Sequence, residues 1–184
     1  MGKHPPTEPP VSRLAEQAVA LATKLGIRIA VAESLTGGLV AATLVAIPGA
    51  SKVLSGGIVA YDTSLKTTLL GVDRDLLQKT GPVDSAVATQ MAVGVRDACA
   101  VETPDGRRSA DLGISTTGVA GPDPDPQTGQ SAGTVWIGVS SRLGERSKLL
   151  PQVLGDRQSV RDAVVSAVIL LLVEELTEIA VDCA

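Results

Sequence analysis

Residues 31–38 read V-A-E-S-L-T-G-G, and the predicted fold is built around this stretch. The aliphatic run over 27–32 predicts a buried strand that ends within it. The apolar run that follows predicts a helix over 38–46. Open α/β sheets bind ligands where a strand ends, a short turn follows and a helix begins. We therefore expect a binding site or an active site at this turn.

The residues of the turn suit such a site. Thr36 can cap the helix, and Gly37 and Gly38 let a ligand approach bare backbone N–H groups. Ser34 lies at the mouth of the turn, where its hydroxyl can face the same ligand. A second interpretation stays open, because serine, threonine and glycine also form tight turns that have no other role.

The composition excludes several classes of protein. A chain of 184 residues predicts one domain, which we place at 11–184. Phenylalanine is absent and tryptophan and tyrosine occur once each, so the core must consist of aliphatic side chains. The net charge of −4 and the lack of aromatic stacking residues argue against a nucleic acid partner. The apolar stretch 163–173 is too short to cross a bilayer, so we expect it in the core or in a subunit interface.

The single histidine, His4, lies in a proline-rich segment, 1–10, that we predict to be a disordered tail. The rest of the chain lacks the imidazole that a Ser-His-Asp triad or a histidine-based zinc site needs. Asp123 and Asp125 resemble the start of a metal-binding loop, but no further carboxylates follow at the spacing of a calcium site. We therefore expect no metal.

The two cysteines, Cys99 and Cys183, have no CxxC spacing, which favours a reducing compartment. The start of the chain also lacks the apolar segment of a signal peptide. We therefore expect a cytoplasmic protein that acts on a small molecule and has no membrane partner.

Hydrophobic periodicity and turn signals predict the other elements. Helices are expected over 11–25 and 63–70, from Asp73, from Asp84 or Ser85 to about 100, and from about 156 to 179. Strands are expected over 53–61, 110–117, 134–140 and 148–154, with a turn at 142–145 between the last two. The segment 101–109 is expected to be an exposed, mobile connector. Three prolines and three glycines in 121–133 predict a long irregular loop, which is either functional or disordered.

Lys66 is the best candidate for a base that activates Ser34. It lies in the helix directly after the second strand, so neighbouring strands would bring Ser34, Tyr61 and Lys66 to one edge of the sheet. A desolvated lysine there can be neutral near pH 7 and accept the serine proton. The alternative is an ordinary solvated lysine, and for Tyr61 an aromatic side chain at a strand end with a hydrated hydroxyl.

Arg157 and Arg161 lie one turn apart at the start of the last helix, where the helix dipole disfavours a cation. Together they can hold a phosphate. An exposed, solvated pair explains the two residues equally well.

Six motifs occur in an order that resembles one known family. They are A-E-S-L-T-G-G (32–38), G-G-I-V-A-Y (56–61) followed by Lys66, L-L-G-V (69–72), T-G-V-A-G-P (117–122), G-T-V-W-I-G-V (133–139) and G-D-R-Q-S-V-R (155–161). The sequence resembles the C-terminal domain of the CinA family, which also occurs alone as a nicotinamide mononucleotide deamidase. The resemblance implies a three-layer α/β/α sandwich with a mixed, mostly parallel sheet, and a homo-oligomer.

The resemblance also implies an activity and a set of site residues. The activity is hydrolysis of nicotinamide mononucleotide (NMN) to nicotinic acid mononucleotide and ammonia without a metal or organic cofactor. Ser34 would be the nucleophile, with Lys66 and Tyr61 as catalytic companions.

Backbone N–H groups of Thr36, Gly37 and Gly38 would hold the oxyanion, and Thr117, Gly118 and Arg157 would contact the ribose phosphate. The proline-rich, acidic loop 121–133 departs from the family's glycine-rich version. A catalytically silent module for nucleotide binding or oligomerisation is the alternative to an enzyme.

Overall fold

The computed structural model describes residues 10–182, which form six α-helices and seven strands. The helices are α1 (Val11–Leu25), α2 (Leu39–Val45), α3 (Thr63–Leu70), α4 (Arg74–Thr80), α5 (Ser85–Ala98) and α6 (Arg157–Asp182). The strands are β1 (Ile29–Glu33), β2 (Leu54–Val59), β3 (Val101–Thr103), β4 (Gly106–Arg108), β5 (Leu112–Gly118), β6 (Val135–Ser141) and β7 (Gly144–Leu149). The predicted tail and Cys183 lie outside the described residues.

The main sheet has five strands in the order β2-β1-β5-β6-β7. Strand β1 pairs in parallel with β2 and β5, whereas β6 is antiparallel to β5 and to β7. Strands β2, β1, β5 and β7 therefore share one direction and β6 runs against them. This arrangement confirms the expected mixed, mostly parallel sheet.

Helices cover both faces of the sheet, which confirms the three-layer α/β/α architecture. One aliphatic core lies between the sheet and α1, α2 and α6, and a second lies between the sheet and α3, α4 and α5. All five residues of β1 are buried, as expected for a central strand of a parallel sheet. The apolar stretch of α6 packs against α1 and β5 and belongs to the first core.

The glycine pair inside β2 is explained by close packing on both faces of the strand. A Cβ atom at Gly56 would lie 3.2 Å from Cys99 Sγ, and one at Gly57 would lie 3.2 Å from Ala41 Cβ. The register between β2 and β1 also shifts beside the pair. Glycine thus lets α2 and the end of α5 approach this edge strand.

Two segments differ from the sequence prediction. The expected connector 101–109 forms a hairpin of β3 and β4, in which Thr103 pairs with Gly106 around Pro104 and Asp105. Pro-Asp-Gly is a tight-turn sequence, since proline presets its φ angle and glycine accepts a positive one, here +108°.

The last strand of the main sheet also differs from the prediction of 148–154. It covers Gly144–Leu149 and follows a tight turn at Arg142 and Leu143. Pro151 has no N–H group to donate, and the chain leaves the sheet before it. Within residues 10–182, no helix combines the length and apolar character that crossing a membrane requires.

Candidate active site

The carboxyl ends of three strands meet at one edge of the sheet and open onto a cavity of about 460 Å³. Glu33, the last residue of β1, pairs with Val59 of β2 and with Thr116 of β5. The residues that follow these strands, including Ser34, therefore lie side by side. The cavity is large enough for a ligand of nucleotide size.

Ser34 and Lys66 are in direct contact at the floor of this cavity. The Nζ atom of Lys66 lies 3.1 Å from Ser34 Oγ and donates a second hydrogen bond, of 2.9 Å, to the Ala60 carbonyl. Asp62 caps the start of α3 by accepting a hydrogen bond from the Ser64 N–H, which starts the helix directly after β2. Lys66 points inward from that helix and is only 1% exposed, so the solvated-lysine interpretation is wrong.

The environment of Lys66 favours its neutral form. Burial lowers the pKa of its ammonium group from 10.5 to about 8, against a smaller opposite effect of the Asp62 carboxylate. About a tenth of the lysine is therefore a free amine at pH 7, and about half at pH 8. Its lone pair can accept the Ser34 proton while the Ala60 carbonyl holds one of its N–H groups.

A buried carboxylate holds the helix that follows the Ser34 turn. Glu33, 1% exposed, accepts hydrogen bonds from the N–H groups of Gly38 and Val40 at 2.9 and 3.1 Å and of Ala41 at 2.9 Å. These N–H groups form the positive end of the α2 dipole, where a negative charge is stabilised. Glu33 thus takes the place that an anionic ligand would take at this helix.

The three turn residues expected to bind the ligand do not line the cavity. The N–H of Gly38 binds Glu33, and the N–H of Gly37 donates to the Ser34 carbonyl at 3.2 Å. Thr36 is fully buried, and its hydroxyl lies 2.9 Å from the Thr116 hydroxyl. In this arrangement the two glycine N–H groups have partners already, so the expected oxyanion site at 36–38 has no free glycine donor.

Tyr61 lines the cavity but is grouped with Arg157, not with the Ser34–Lys66 pair. Arg157 donates one hydrogen bond of 2.5 Å to the Tyr61 hydroxyl and another of 2.7 Å to the Gly121 carbonyl. Among residues 10–182, no hydrogen bond joins the Tyr61 hydroxyl to Ser34 or Lys66. The phenol is 58% exposed, and its O–H remains able to donate to a ligand.

The two arginines at the start of α6 have different partners, so they do not form the expected pair. Arg157 reaches the cavity wall, whereas Arg161 donates to the carbonyls of Leu35 at 3.1 Å and Thr36 at 3.0 Å. Arg161 therefore contacts the backbone directly after Ser34. Neither arginine is merely solvated.

The end of β5 forms the opposite wall of the cavity. Thr117 and Gly118 both line it, as expected for ligand contacts. The Thr117 hydroxyl donates to the Pro82 carbonyl at 2.5 Å, which leaves its oxygen lone pairs for a ligand. Pro82 and Val83 complete this wall, although no sequence motif pointed to them.

The loop 121–133 is anchored and forms the rim of the cavity. The Gln127 side chain donates to the carbonyls of Leu77 at 3.1 Å and Gln78 at 3.2 Å, which ties the loop to α4. The Asp125 carboxylate accepts from the N–H and hydroxyl of Thr128, both at 2.8 Å. Asp123 also lines the cavity, and its carboxylate has no hydrogen-bond partner within residues 10–182. Across that same range, no three side chains of the histidine, cysteine, aspartate and glutamate types are grouped for metal binding.

Comparisons with known proteins agree with the six sequence motifs. A CinA-like protein from Frankia casuarinae is 47% identical over 142 residues, which are 76% of this chain and 30% of that protein. A CinA-like protein from Dictyoglomus thermophilum is 39% identical over 148 residues, which are 80% of this chain and 33% of that protein. The chain thus spans about a third of the length of these curated relatives.

A solved structure and a family model also match this chain to CinA proteins. The crystal structure of a CinA superfamily protein from Klebsiella pneumoniae matches with a TM-score of 0.83 and 26% identity, covering 92% of this chain and 99% of that one. The family model for the CinA C-terminal domain matches residues 11–176. The chain therefore belongs to the CinA family.

Proposed function

We propose that the protein is an amidohydrolase that converts NMN into nicotinic acid mononucleotide and ammonia. One observation carries the proposal: Lys66, with a pKa lowered to about 8, lies 3.1 Å from Ser34 Oγ at the floor of a cavity. A buried lysine costs stability and needs a reason to be there. Activation of a serine nucleophile is such a reason.

The reaction starts with proton transfer from Ser34 to the neutral amine of Lys66. The serine oxygen attacks the carbonyl carbon of the nicotinamide group, and the carbonyl electron pair moves to the oxygen. The tetrahedral intermediate then collapses, the C–N bond breaks, and the ammonium of Lys66 donates its proton to the departing ammonia. A nicotinoyl ester of Ser34 remains.

Water completes the cycle by the same route. Lys66, neutral again, accepts a proton from a water molecule that attacks the ester carbonyl. Collapse of the second intermediate releases the carboxylic acid and returns the proton to Ser34 Oγ. Among the described residues no hydrogen bond joins Tyr61 to this pair, so we assign it to ligand contacts at the rim with Arg157.

The charges around the cavity suit a nucleotide with a cationic ring. Arg157 supplies a guanidinium on one wall, which can pair with a phosphate. Asp123 supplies a carboxylate on the anchored loop, which complements the positive pyridinium ring of NMN. A neutral, unphosphorylated amide would use neither contact.

Ammonia release from NMN by the purified protein tests the proposal. We expect turnover by the wild-type protein and by Ser51→Ala, whose serine is exposed and does not line the cavity. Ser34→Ala should retain the fold and the binding of NMN but lose turnover, because Ser34 carries the one side-chain hydroxyl in residues 10–182 that is hydrogen-bonded to Lys66 Nζ.

Binding of NMN without ammonia release by the wild-type protein would favour the silent nucleotide-binding module. Turnover of more than a few per cent by Ser34→Ala would exclude Ser34 as the nucleophile.

A further inference from the structure

The backbone just after Ser34 contains two buried N–H groups without an acceptor. Within residues 10–182, the N–H groups of Leu35 and Thr36 donate no hydrogen bond, although both residues are at most 3% exposed. Buried backbone donors are nearly always paired, so unpaired ones need an explanation. Leu35 lines the cavity beside Ser34.

The carbonyl groups of the same turn are all paired. The Ser34 carbonyl accepts from the Gly37 N–H at 3.2 Å, and the Thr36 carbonyl accepts from the Leu39 N–H at 3.3 Å. Arg161 donates to the carbonyls of Leu35 and Thr36 at 3.1 and 3.0 Å. The turn thus has its acceptors occupied and two donors without a partner, of which the Leu35 N–H belongs to a residue that lines the cavity.

The orientation of both donors follows from these carbonyl contacts. In a trans peptide the C=O of one residue and the N–H of the next point in opposite directions. Arg161 on the Leu35 carbonyl therefore turns the Thr36 N–H away from the guanidinium. Arg161 also donates to the Thr36 carbonyl, which fixes the direction of the next N–H group, that of Gly37. The Gly37 N–H donates to the Ser34 carbonyl, so the Leu35 N–H of that same peptide points the opposite way.

We propose that Arg161 is a positioning residue that aims the N–H group of Leu35, which lines the cavity, at the amide oxygen of the substrate. This inference rests on the proposed function, and it moves the oxyanion site from the glycines to the residue after the nucleophile. The N–H of the residue after a nucleophilic serine has this role in hydrolases with a strand–turn–helix nucleophile. Arg161 itself touches no reacting atom.

The test compares Arg161→Ala and Arg161→Lys with the control Gln158→Ala. Gln158 accepts a hydrogen bond of 3.0 Å from the same guanidinium but does not contact the turn. Deleting an oxyanion donor costs about 10²- to 10³-fold in kcat. Because Arg161→Ala frees the Leu35 donor without deleting it, we expect kcat for NMN to fall about 10- to 100-fold with KM nearly unchanged. Lysine reaches one carbonyl at most and should give an intermediate loss, while Gln158→Ala should behave as wild type.

A thioamide analogue of NMN separates positioning from general damage. Sulfur accepts hydrogen bonds weakly, so the thioamide gains little from the Leu35 donor. We expect the ratio of kcat for NMN to kcat for the thioamide to fall about tenfold in Arg161→Ala, with the melting temperature recorded for each variant. An equal loss on both substrates, or no loss in kcat, would overturn the positioning role.

A fluorophosphonate probe tests the positioning role independently of the proposed substrate, because the P=O oxygen of the probe would accept from the same backbone donor. If the wild-type protein reacts with the probe at Ser34 but leaves NMN intact, the substrate is wrong and the variants are compared on the probe. Labelling about tenfold slower in Arg161→Ala supports the positioning role. Equal labelling rates overturn it, as does a wild-type protein that neither hydrolyses NMN nor reacts with the probe.

Discussion

Replacing Lys66 by methionine should stabilise the protein in a pH-dependent way. Burial lowers the pKa of Lys66 from 10.5 to about 8, and at about 1.4 kcal/mol per pKa unit this corresponds to about 3 kcal/mol. Below pH 8 the folded protein carries the full cost of a buried ammonium. Between the two pKa values the folded lysine is neutral while the unfolded one still binds a proton, so the stability of the wild type rises with pH. Above the unfolded pKa the cost is gone.

The difference in unfolding free energy between wild type and Lys66→Met isolates this effect. Methionine has a length similar to that of lysine and carries no charge. The variant lacks the hydrogen bonds to Ser34 and Ala60 at every pH. We expect the wild type to gain about 2 kcal/mol relative to the variant between pH 7 and pH 9.5. Urea unfolding at the two pH values measures it, with the exposed Lys79→Met as the control that should show no such change. An identical difference between wild type and Lys66→Met at both pH values would refute a buried lysine with a lowered pKa.

Two further predictions concern the phosphate contact and the buried carboxylate. Arg157→Ala should raise KM for NMN by about 10- to 100-fold, since a charge-assisted contact to phosphate contributes about 1.5–3 kcal/mol, and should leave KM for the unphosphorylated riboside unchanged. Equal effects on both substrates in steady-state assays would remove the phosphate role. Glu33→Gln should lower the unfolding free energy by about 2 kcal/mol, because an NH₂ group replaces an oxygen that accepts backbone N–H groups. Denaturant unfolding against the exposed control Glu16→Gln tests this, and equal stability of the two variants would contradict it.

The contact of Ser34 with Lys66 followed from sequence because it depends only on strand order and direction. Ser34 directly follows β1, and Lys66 lies in the helix after β2. Because β1 and β2 are parallel neighbours, they end at the same edge of the sheet. The α/β/α layers were predictable for a similar reason, since β1 is apolar at nearly every position and needs cover on both faces.

Other parts of the site depend on contacts that no local pattern encodes. Glu33 directly follows the predicted strand 27–32 and shows no sign of a role in the next element, yet its carboxylate binds three N–H groups at the start of the following helix. Arg161 and Arg157 are equivalent in helical spacing, but the packing of α6 directs one to the nucleophile turn and the other to the cavity. The sequence could not separate these roles, because they depend on distances between segments more than 90 residues apart. The β3–β4 hairpin is different, because its Pro-Asp-Gly signal was present and was outweighed by the polarity of the segment.

The pH dependence of kcat/KM for NMN tests the central claim most directly, because it reports the protonation of the free enzyme. Measurement above pH 7 avoids the phosphate group of the substrate, whose second pKa is about 6. If neutral Lys66 is the base, kcat/KM rises with pH and levels off above the lowered pKa of about 8. Lys66→Arg keeps the charge but does not deprotonate, so it should lose about 10²- to 10⁴-fold at every pH. A flat profile for the wild type, or substantial activity of the arginine variant, would contradict Lys66 as the base that activates Ser34.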